Sequence, residues 1–406
     1  MRVLFACHRV PYPPKRGGKI RPFNIIRHLT EQGHRVTVAS LARTAREVEE
    51  AADLRRHCES LLVEVISDPA AGSRMVAWLP TTRPSSFAYF HSPRLAQRIG
   101  EALAREPFDM IFVHCSSAAP YVAAAQAPLK VLDFGDMDSQ KWHEYAQYKP
   151  FPLSAGYRLE AAKLERAERR LAQRFDLCTC TTRAELKSLQ ALGVKTPSDW
   201  FPNGVDATFF TPAGDYDPNL IAFVGRMDYY PNQQAVTMFC RDVLPRLRSE
   251  RPTLQFRIVG ADPPAFIREL GKLPGITVTG SVPDVRGFVT SAALTVAPLT
   301  IARGTQNKIL ESMAMGVPVV CSTAAADGVD AVPGEHLLTA ANPDEYVAAV
   351  SSILDSRELR AHLAQSARAR VLANHAWRSS MARLDSLLAS ALKERMQPGA
   401  SALAAS

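Results

Sequence analysis

Short runs of β-branched and aliphatic residues alternate with longer segments of helical periodicity along almost the whole chain. The pattern starts with RVLFAC, continues with IRPFNIIRHLTEQG and returns to HRVTVASL. In the middle segment Phe23, Ile26 and Leu29 recur three residues apart, which is typical of a helix. Gly33 follows as a helix stop, and alternation with a period of two resumes at Val36. This βαβ order predicts parallel sheets covered by helices.

The same alternation divides the chain into two similar halves. Strands are predicted at 61–66, 109–114, 130–134 and 176–182 in the first half, and at 220–225, 254–260, 275–280, 293–298 and 317–322 in the second. Around residues 199–218 the periodicity stops and Pro, Gly, Asn and Asp accumulate, which indicates a turn-rich connection. We therefore expect two Rossmann-like doubly wound domains, 1–200 and 201–375, facing each other across a ligand-binding cleft. A C-terminal helix and tail, 376–406, is expected to pack back towards the first domain.

Composition and charge narrow the function classes. The chain has 406 residues, of which 47% are hydrophobic and 22% charged, so it can form two packed cores and does not resemble a disordered sequence. The net charge of +8 comes from the first half: residues 1–200 contain 29 basic and 21 acidic side chains, and residues 201–406 contain 19 of each. A basic half suits nucleic acid, an anionic membrane surface, a phosphorylated substrate or solubility alone. We expect no nucleic-acid partner, because no binding module is recognisable.

The seven cysteines are scattered and mostly embedded in apolar runs, and no CxxC pair occurs. They are predicted to be buried free thiols, and no metal site is expected. The N-terminal apolar run is too short for a signal peptide, and no apolar stretch reaches the roughly 18 to 20 residues of a membrane-spanning helix. We expect a cytoplasmic chain whose membrane contact is at most peripheral. Residues 154–174 interleave Arg and Glu with leucines, which indicates a mainly solvated helix face or, alternatively, a membrane contact.

A glycine pair, Gly17 and Gly18, lies among basic residues at the start of the first predicted helix. Glycine lets the backbone approach a ligand, and a helix N-terminus favours an anion such as phosphate. An ordinary glycine turn with solvated lysines is the alternative. His114 ends a predicted strand at the carboxyl edge of the sheet, where it suits either a hydrogen bond to substrate or a structural role.

Three carboxylates, Asp133, Asp136 and Asp138, follow the next predicted strand. They suit a divalent metal, the hydroxyl groups of an acceptor, or ordinary turn chemistry, since Asp favours turns and caps. We take Asp136 as a candidate acceptor-binding residue, with Lys19 of the glycine-rich segment as a second candidate.

In the second half, Gly225 and Arg226 end a predicted strand. Arg226 can grip a diphosphate with two hydrogen bonds, because its guanidinium matches phosphate geometry. The alternative is a surface ion pair with Asp228.

The segment at residues 297–320, APLTIARGTQNKILESMAMGVPVV, combines a strand end, a glycine-containing loop and a helix. The loop N–H groups at Gly304 and Thr305 can face phosphate oxygens. Lys308 and Glu311 lie three residues apart on one helical face, so they can offer an ammonium and an acceptor for hydroxyl groups. They can equally pair with each other on the surface.

These segments together resemble a GT-B glycosyltransferase of glycosyltransferase family 4. The matching pieces are GGKIRPFNIIRHLTEQGHRVTV, the histidine of DMIFVH, FPNGVD at the domain junction, FVGRM and KILESMAMGVPVV, and their order covers nearly the whole chain. Within the family, the sequence looks most like the bacterial sugar transferases associated with PEP-CTERM/exosortase and exopolysaccharide gene clusters.

The resemblance implies a retaining, metal-independent transfer of a sugar from a nucleotide diphosphate sugar, either UDP- or GDP-linked. The donor is expected in the second domain, and a saccharide or lipid-linked acceptor is expected on the first. No cofactor is implied besides the donor substrate. A lipid-linked acceptor would give the basic first half a use, because that half would lie against anionic lipid.

The resemblance also implies roles for single residues. Glu311 matches the glutamate that binds the ribose hydroxyls, Arg226 matches the diphosphate-binding arginine, and His114 matches the active-site histidine near the sugar. The loop of Gly17 and Gly18 matches the loop that closes on the donor phosphates. The expected donor site comprises Gly17, Gly18, Arg226, Arg303, Gly304, Thr305, Lys308 and Glu311, and the expected catalytic residues are His114, Arg226 and Lys308.

Two departures from the family pattern bear on function. The family pairs two glutamates eight positions apart, but Arg303 stands eight positions before Glu311, so the carboxylate expected to face the donor sugar is missing. A lysine expected shortly after Arg226 is also absent, with Asn232 near its place. We expect Lys308 or Arg303 to supply that positive charge. The alternatives are a sugar-nucleotide epimerase or hydrolase of the same fold, and a non-catalytic sugar-nucleotide-binding protein.

Overall fold

The computed structural model describes residues 1–14, 17–66 and 68–396. It divides the chain into two compact units, one formed by Met1–Phe201 together with the described residues from Met381 onward, the other by Pro202–Ser380. Each unit is built on a parallel sheet with helices in the connections between strands. The predicted α/β class with two Rossmann-like domains is confirmed.

Within the described residues, the sheet of the first unit has seven strands in the order β3-β2-β1-β4-β5-β6-β7. The strands are β1 Arg2–Cys7, β2 Arg35–Ala42, β3 Ser60–Val65, β4 Met110–His114, β5 Leu129–Gly135, β6 Leu177–Cys180 and β7 Ser198–Trp200. The helices are α1 Gly17–Glu31, α2 Ala45–Glu50, α3 Asp68–Trp78, α4 Ser85–Tyr89, α5 Pro93–Arg105, α6 Asp138–Gln147, α7 Leu153–Ala172 and α8 Arg183–Ala191, with 3₁₀ segments at Ala51–His57 and Ser116–Tyr121.

The central strands of this sheet are buried on both faces, as expected where helices cover a parallel sheet. Phe5 of β1 stacks on Phe112 of β4 with ring centres 5.2 Å apart. Side chains of Thr44, Ser92 and Thr182 cap α2, α5 and α8 by accepting a hydrogen bond from a backbone N–H in the first turn. The residues that follow these strands are therefore attached to a sheet that is buried on both faces.

Helix α7 differs from its predicted solvated character. Glu160, Lys163 and Glu168 are buried in it, together with Leu164 and Leu171. The Glu160 carboxylate accepts hydrogen bonds from the backbone N–H groups of Ser85 and Ser86. The prediction of a mainly solvated face holds for Arg158, Arg166, Arg169 and Arg170, which are exposed, and fails for these three charged residues. A charged residue can be buried when backbone groups of a neighbouring segment satisfy it, and helical spacing alone does not reveal such partners.

In the second unit, the described residues form a six-stranded sheet in the order β10-β9-β8-β11-β12-β13. The strands are β8 Asp217–Val224, β9 Gln255–Val259, β10 Ile276–Val278, β11 Ala292–Ala297, β12 Val319–Cys321 and β13 Leu338–Thr339. The helices are α9 Tyr230–Met238, which continues through a π-helical turn Phe239–Val243 into α10 Leu244–Glu250, then α11 Ala265–Leu270, α12 Arg286–Thr290, α13 Asn307–Ala314, α14 Thr323–Asp327, α15 Pro343–Asp355 and α16 Arg357–Asn374.

Every predicted strand has a counterpart in the structure, with ends shifted by a few residues at most. The edge strands β7 and β13 were not predicted, because they are three and two residues long and carry too few positions to show a period. Both short strands lie at sheet edges. The sequence pattern therefore identified the interior strands and one edge strand of each sheet, β3 and β10, and missed the shorter strand at the opposite edge.

The last helix, α17 Trp377–Met396, begins in the second unit, and its residues from Met381 onward belong to the first. Asp385 of this helix accepts a hydrogen bond from His28 Nε2 of α1 at 2.8 Å, and Arg383 Nε donates to the backbone oxygen of Trp200 at 2.6 Å. The remainder of the predicted C-terminal segment, 397–406, lies outside the described residues.

The cysteines are free thiols, buried except for Cys115, which is half-buried. Burial raises the pKa of Cys7, Cys240 and Cys321 to about 12. Among the helices in the described residues, none is both long and apolar enough to cross a bilayer.

Candidate functional site

In the first unit, the sheet register places a histidine beside an aspartate. β4 and β5 are parallel neighbours, and His114, the last residue of β4, is paired in register with Asp133 of β5. The His114 Nδ1 atom lies 2.7 Å from Asp133 Oδ2, and both side chains are almost completely buried. Because the carboxylate engages Nδ1, it fixes the ring orientation and leaves Nε2 as the nitrogen available to a ligand.

Arg21 of α1 completes this arrangement. Its guanidinium donates two hydrogen bonds to the Asp133 carboxylate, each 2.8 Å long, and a third to the backbone oxygen of Phe201 at 2.9 Å. Thr179 Oγ1 donates a further bond to Asp133 Oδ1 at 2.9 Å. Burial by itself would raise the pKa of Asp133, but the charge and hydrogen bonds of Arg21, with a smaller contribution from His114, lower it well below its usual value. Asp133 is therefore a permanent carboxylate that holds His114 in place.

Gly135 lies directly beneath His114. Its φ angle is +69°, a left-handed conformation that side chains rarely adopt, and a Cβ added there would lie 3.3 Å from His114 Cε1. The backbone at the end of β5 can therefore pass close to the histidine only because residue 135 is glycine.

His8 is a further member of this region. It follows β1, its ring centre lies 6.3 Å from that of His114, and its buried Nδ1 atom makes no hydrogen bond within the described residues. Burial, and then the charge of His114, lower the pKa of His8 well below its usual value, so His8 is neutral. The prediction missed both His8 and Arg21, although the position of His8 directly after a buried strand was a usable signal.

Among the other predicted residues of the first unit, Lys19 is engaged by protein contacts, whereas Gly17 and Gly18 are exposed. Gly17 and Gly18 are the first two residues of α1, and a Cβ at Gly18 would meet no atom within 4 Å. Lys19 Nζ donates to the backbone oxygen of Tyr12 at 3.0 Å and lies 3.5 Å from a carboxylate oxygen of Glu47. The structure thus uses Lys19 to tie the preceding loop to α1, and its role towards an acceptor stays a prediction.

The three carboxylates after β5 make separate contacts. Asp133 belongs to the histidine site, Asp136 accepts a hydrogen bond from Thr181 Oγ1 at 2.7 Å, and Asp138 accepts one from Ser116 Oγ at 3.1 Å. Within the described residues, no group of three or more His, Cys, Asp or Glu side chains is arranged to hold a metal ion. Acceptor binding by Asp136 stays a prediction.

In the second unit, an amide joins the end of β8 to helix α13. Asn232 Nδ2 donates to the backbone oxygen of Arg226 at 2.7 Å, and Asn232 Oδ1 accepts from Lys308 Nζ at 2.5 Å. A Cβ at Gly225 would lie 2.7 Å from Asn232 Nδ2 and 3.1 Å from Lys308 Nζ, and a Cβ at Gly260 would lie 1.8 Å from the Gly225 oxygen. These glycines let the two strand ends and the lysine come together.

Lys308 and Glu311 have strongly shifted pKa values. Burial lowers the pKa of Lys308 to about 7, against a smaller upward effect of Glu311, and burial raises the pKa of Glu311 to about 7, against a smaller downward effect of Lys308. The Lys308 ammonium also lies 4.6 Å from the ring centre of Phe223. Both groups are thus close to changing charge at neutral pH, which is common in sites that bind or transform charged ligands.

The loop before α13 contains polar atoms without partners. Gly304 has φ +65°, the side chain of Gln306 does not cap the helix, and the buried oxygens Thr305 Oγ1 and Asn307 Oδ1 accept no hydrogen bond within the described residues. Gln306 Nε2 donates to the backbone oxygen of Arg303 at 3.0 Å. Buried polar atoms are nearly always paired, so an unpaired group at a helix N-terminus indicates a place for a ligand.

Arg226 is held by two carboxylates. Its guanidinium donates two hydrogen bonds to Asp228, 3.0 and 2.6 Å long, and one to Asp262, 2.6 Å long. The hydrogen bonds to Asp228 make the largest contribution to raising the pKa of Arg226. This is the surface pairing weighed as the alternative in the sequence, so a diphosphate would have to compete with these carboxylates. The diphosphate role of Arg226 stays a prediction.

Two models of known protein families match the chain. A model described as Glycosyltransferase Family 4 matches residues 16–209, and one described as Glycosyl transferases group 1 matches residues 218–356. Between them the two models cover most of both units. The chain belongs to this family of glycosyltransferases. A search of curated protein sequences gave no match.

Solved structures show the same fold. Sucrose-phosphate synthase from Thermosynechococcus elongatus has a TM-score of 0.72 at 14% identity, with 96% of this chain and 98% of that chain covered. Anabaena HepE in complex with UDP-glucose has a TM-score of 0.67 at 15% identity, with 96% and 100% covered. A putative UDP-N-acetylglucosamine 2-epimerase from Listeria monocytogenes has a TM-score of 0.56 at 16% identity, with 97% of both chains covered. The two Rossmann-like domains therefore have the GT-B fold.

Proposed function

We propose that this glycosyltransferase retains the anomeric configuration of its donor sugar, needs no metal ion, and uses a UDP- or GDP-linked hexose as donor. The acceptor is a saccharide or a lipid-linked saccharide, and the product contributes to an exopolysaccharide or another cell-surface glycan. The observation that carries the proposal is the group of unsatisfied polar atoms around Lys308 at the start of α13. The nearness of HepE, a protein solved with UDP-glucose, supports a UDP-linked donor.

The second unit provides the donor site in this proposal. The diphosphate lies against the uncapped N-terminus of α13, where Thr305 and Asn307 contact it and Lys308 supplies positive charge. Glu311, one turn further on, accepts hydrogen bonds from the ribose hydroxyls. A bound diphosphate raises the pKa of Lys308, because an opposite charge favours the ammonium form.

The first unit provides the histidine in this proposal. Asp133 holds His114 Nδ1, so Nε2 is presented to a hydroxyl group of the transferred sugar. Arg21 keeps the Asp133 carboxylate ionised, and Gly135 allows the close backbone approach below the ring. Because these contacts exist before any ligand binds, the histidine needs no rearrangement on binding.

The transfer breaks the bond between the anomeric carbon and the diphosphate oxygen and forms a bond from the same carbon to the acceptor oxygen. The acceptor proton passes to the departing phosphate oxygen on the same face, which retains the configuration. Negative charge develops on the diphosphate, where Lys308 and the α13 N–H groups are already positioned. One such positioned donor contributes on the order of 10²- to 10³-fold to turnover. These groups supply the positive charge in place of a metal ion.

The basic first half supports work at the inner face of the cell membrane. If this surface contacts anionic lipid, each well-placed Lys or Arg contributes about 1 kcal/mol to binding. Sedimentation with vesicles that contain or lack anionic lipid, at low and high salt, tests this contact. Vesicle binding that depends neither on anionic lipid content nor on salt concentration contradicts the proposed membrane contact. The association with PEP-CTERM/exosortase clusters rests on the sequence resemblance alone.

Two other activities remain open within the same fold. The Listeria neighbour described as a putative epimerase favours a sugar-nucleotide epimerase or hydrolase, which would release nucleotide without any acceptor. Arg303, in place of the expected glutamate, favours a non-catalytic sugar-nucleotide-binding protein. Such a protein would bind the donor and never turn it over.

One experiment separates these functions. Purified protein is incubated with a panel of UDP- and GDP-sugars, with and without a membrane lipid extract, and released nucleotide and lipid-bound sugar are measured. Lipid-dependent release from one donor supports the transferase, release without an acceptor supports the epimerase or hydrolase, and binding without release supports the binding protein. EDTA treatment tests metal independence, and NMR of the product tests retention.

A further inference from the structure

A cavity of about 330 Å³ lies in the first unit, bordered by the end of α3, by α4 and α5, and by the 3₁₀ segment Ser116–Tyr121. Half of the ten described residues that line it carry aromatic rings, namely Trp78, Phe87, Phe90, His91 and Tyr121. The His91 and Tyr121 rings are nearly parallel with centres 6.1 Å apart. The cavity has the size and the apolar lining of a small-ligand site.

The wall offers few hydrogen bonds to a ligand. Among the described residues no Asp or Glu lines the cavity, and the Tyr121 hydroxyl is fully used, since it donates to the Phe90 oxygen at 2.7 Å and accepts from the Ser92 N–H at 2.6 Å. The Ser117 hydroxyl lines the cavity without a hydrogen-bond partner in the described part of the chain and can serve one polar group of a ligand. Burial and the charges of Arg74 and Arg83 lower the pKa of His91, so its ring is neutral. A saccharide buried here would leave hydroxyl groups unpaired, which is costly, whereas a hydrocarbon chain has no polar group to satisfy.

A cation stands at the mouth of this cavity. The Arg83 guanidinium lies 5.3 Å from the ring centre of Trp78, its side chain is exposed, and no carboxylate of the described residues pairs with it. In the sequence around Trp78, Val76 and Leu79 are exposed apolar side chains, 66% and 53% accessible. A largely apolar cavity and one cation without a carboxylate partner together match an amphiphile with a hydrocarbon chain and an anionic head.

The cavity adjoins the histidine region. Phe90, part of its wall, packs edge-on against His8 with ring centres 5.0 Å apart, and His8 lies 6.3 Å from His114. The segment Ser116–Tyr121 begins two residues after His114. His8 therefore stands between the cavity wall and His114, the histidine that we assign to the transferred sugar.

We propose that this cavity binds the hydrocarbon chain of a lipid phosphate acceptor, with the phosphate on Arg83. The inference rests on the proposed function and narrows its acceptor from a saccharide or a lipid-linked saccharide to the lipid-linked class. Shape, charge and position lead to the same ligand: the ring-lined wall takes the chain, Arg83 takes the phosphate, and Phe90 connects the site to His8 and His114.

Calorimetry with butyl, octyl and dodecyl phosphate, each below its micelle concentration, tests the chain requirement. Affinity is expected to rise roughly fourfold per methylene until the cavity is full, because each buried methylene contributes a constant free energy. Inorganic phosphate and methyl glucoside are the headgroup and saccharide controls. Binding of methyl glucoside in competition with dodecyl phosphate, or an affinity that does not depend on chain length, would overturn the proposal.

A filling variant locates the binding. Ala96 of α5 lines the cavity, and Ala104 lies exposed on the same helix, so Ala96→Phe and Ala104→Phe form a matched pair. Ala96→Phe is expected to abolish the dependence on chain length and lower dodecyl phosphate affinity on the order of 10²-fold, whereas Ala104→Phe binds like the wild type. Arg83→Gln is expected to weaken dodecyl phosphate and leave dodecanol unchanged. Unchanged binding in Ala96→Phe contradicts the assignment.

UDP binding, measured on the same variants, separates this proposal from the proposed function. Ala96→Phe that retains wild-type UDP affinity and thermal stability is folded, so its loss of dodecyl phosphate binding supports the lipid cavity. The cavity proposal alone is overturned if the wild-type protein binds UDP and turns over a sugar donor but binds none of the alkyl phosphates. Protein that binds dodecyl phosphate through the cavity but no nucleotide overturns the donor proposal alone.

Discussion

The two candidate sites differ in how far the protein satisfies its own polar groups. In the first unit, Asp133 receives hydrogen bonds from Arg21 and Thr179 and engages His114, so the buried charges are paired. In the second unit, Lys308 has one amide oxygen as its hydrogen-bond partner, and its pKa falls to about 7 because burial disfavours the charge.

This difference separates a buried ion pair that folding completes from polar atoms that a ligand can complete. His8 Nδ1, which has no hydrogen-bond partner within the described residues, is an exception in the first site. A buried ion pair with complete hydrogen bonding keeps its geometry without a ligand. Removing one partner leaves the other charge buried, with nothing to compensate for its desolvation. Buried polar atoms that lack partners, such as Thr305 Oγ1 and Asn307 Oδ1, gain free energy when a ligand supplies them. We therefore expect mutations to affect stability in the first site and binding in the second.

The largest expected effect is on stability at the first site. Asp133→Ala leaves the Arg21 charge buried without its partner, so the free energy of unfolding of the first unit should fall by about 3–5 kcal/mol. Asp53→Ala breaks an exposed pair with Arg56 in the same unit and should cost less than about 1 kcal/mol. Urea unfolding measures both, and equal losses would remove the distinction between the sites.

The next effect is on binding at the second site. Lys308→Met should lower kcat/KM on the order of 10²- to 10³-fold, because the charge that meets the diphosphate is lost. Its free energy of unfolding should change little, since the loss of the Lys308 hydrogen bond to Asn232 is offset by removal of a desolvated charge.

Two controls accompany Lys308→Met. Lys272→Met removes an exposed lysine that pairs with Glu269, and it should change neither quantity. If Lys308→Met turns over like the wild type while Arg303→Met does not, Arg303 supplies the positive charge that replaces the lysine expected after Arg226. Wild-type turnover in both variants contradicts the donor site as described.

The pH dependence of nucleotide binding should be bell-shaped with a maximum near pH 7. Above pH 7 Lys308 loses its ammonium, and below pH 7 Glu311 loses its carboxylate, so UDP affinity falls by up to about tenfold per pH unit on either side. Glu311→Gln removes the acid limb. It also moves the alkaline limb to lower pH, because Glu311 raises the pKa of Lys308. Calorimetry between pH 5.5 and 9 tests this, and a flat profile contradicts it.

The smallest expected effect concerns the backbone beneath His114. Gly135 and Gly193 both have φ near +70°, so Gly135→Ala and Gly193→Ala should each destabilise the protein by roughly 1–2 kcal/mol. A Cβ at Gly193 meets no atom within 4 Å, whereas one at Gly135 lies 3.3 Å from His114. Only Gly135→Ala should therefore also lower turnover. Equal activity in the two variants, measured at matched folded fraction, would show that the contact does not matter.

The sequence determined the architecture of this protein and pointed to the segment that we propose as its donor site. Alternation of strand and helix periods over a few residues gave the α/β class and the interior strands, because burial on both faces of a parallel strand leaves a local pattern. The loop and helix with Gly304, Lys308 and Glu311 were likewise found from contiguous residues. These features depend on positions that are close in the chain.

Tertiary structure alone decided which side chains contact each other in the candidate sites. Arg21 reaches Asp133 across 112 positions of sequence, and Lys308 reaches Asn232 across 76. Strand register and helix packing make these contacts, and neither is written in local periodicity. Packing between distant segments also produces the buried charges of α7, the two carboxylates on Arg226 and the aromatic cavity, and local periodicity does not reveal them. The sequence therefore fixes which residues can carry chemistry, and the folded chain decides which of them meet, because burial and partner geometry arise only when distant segments pack together.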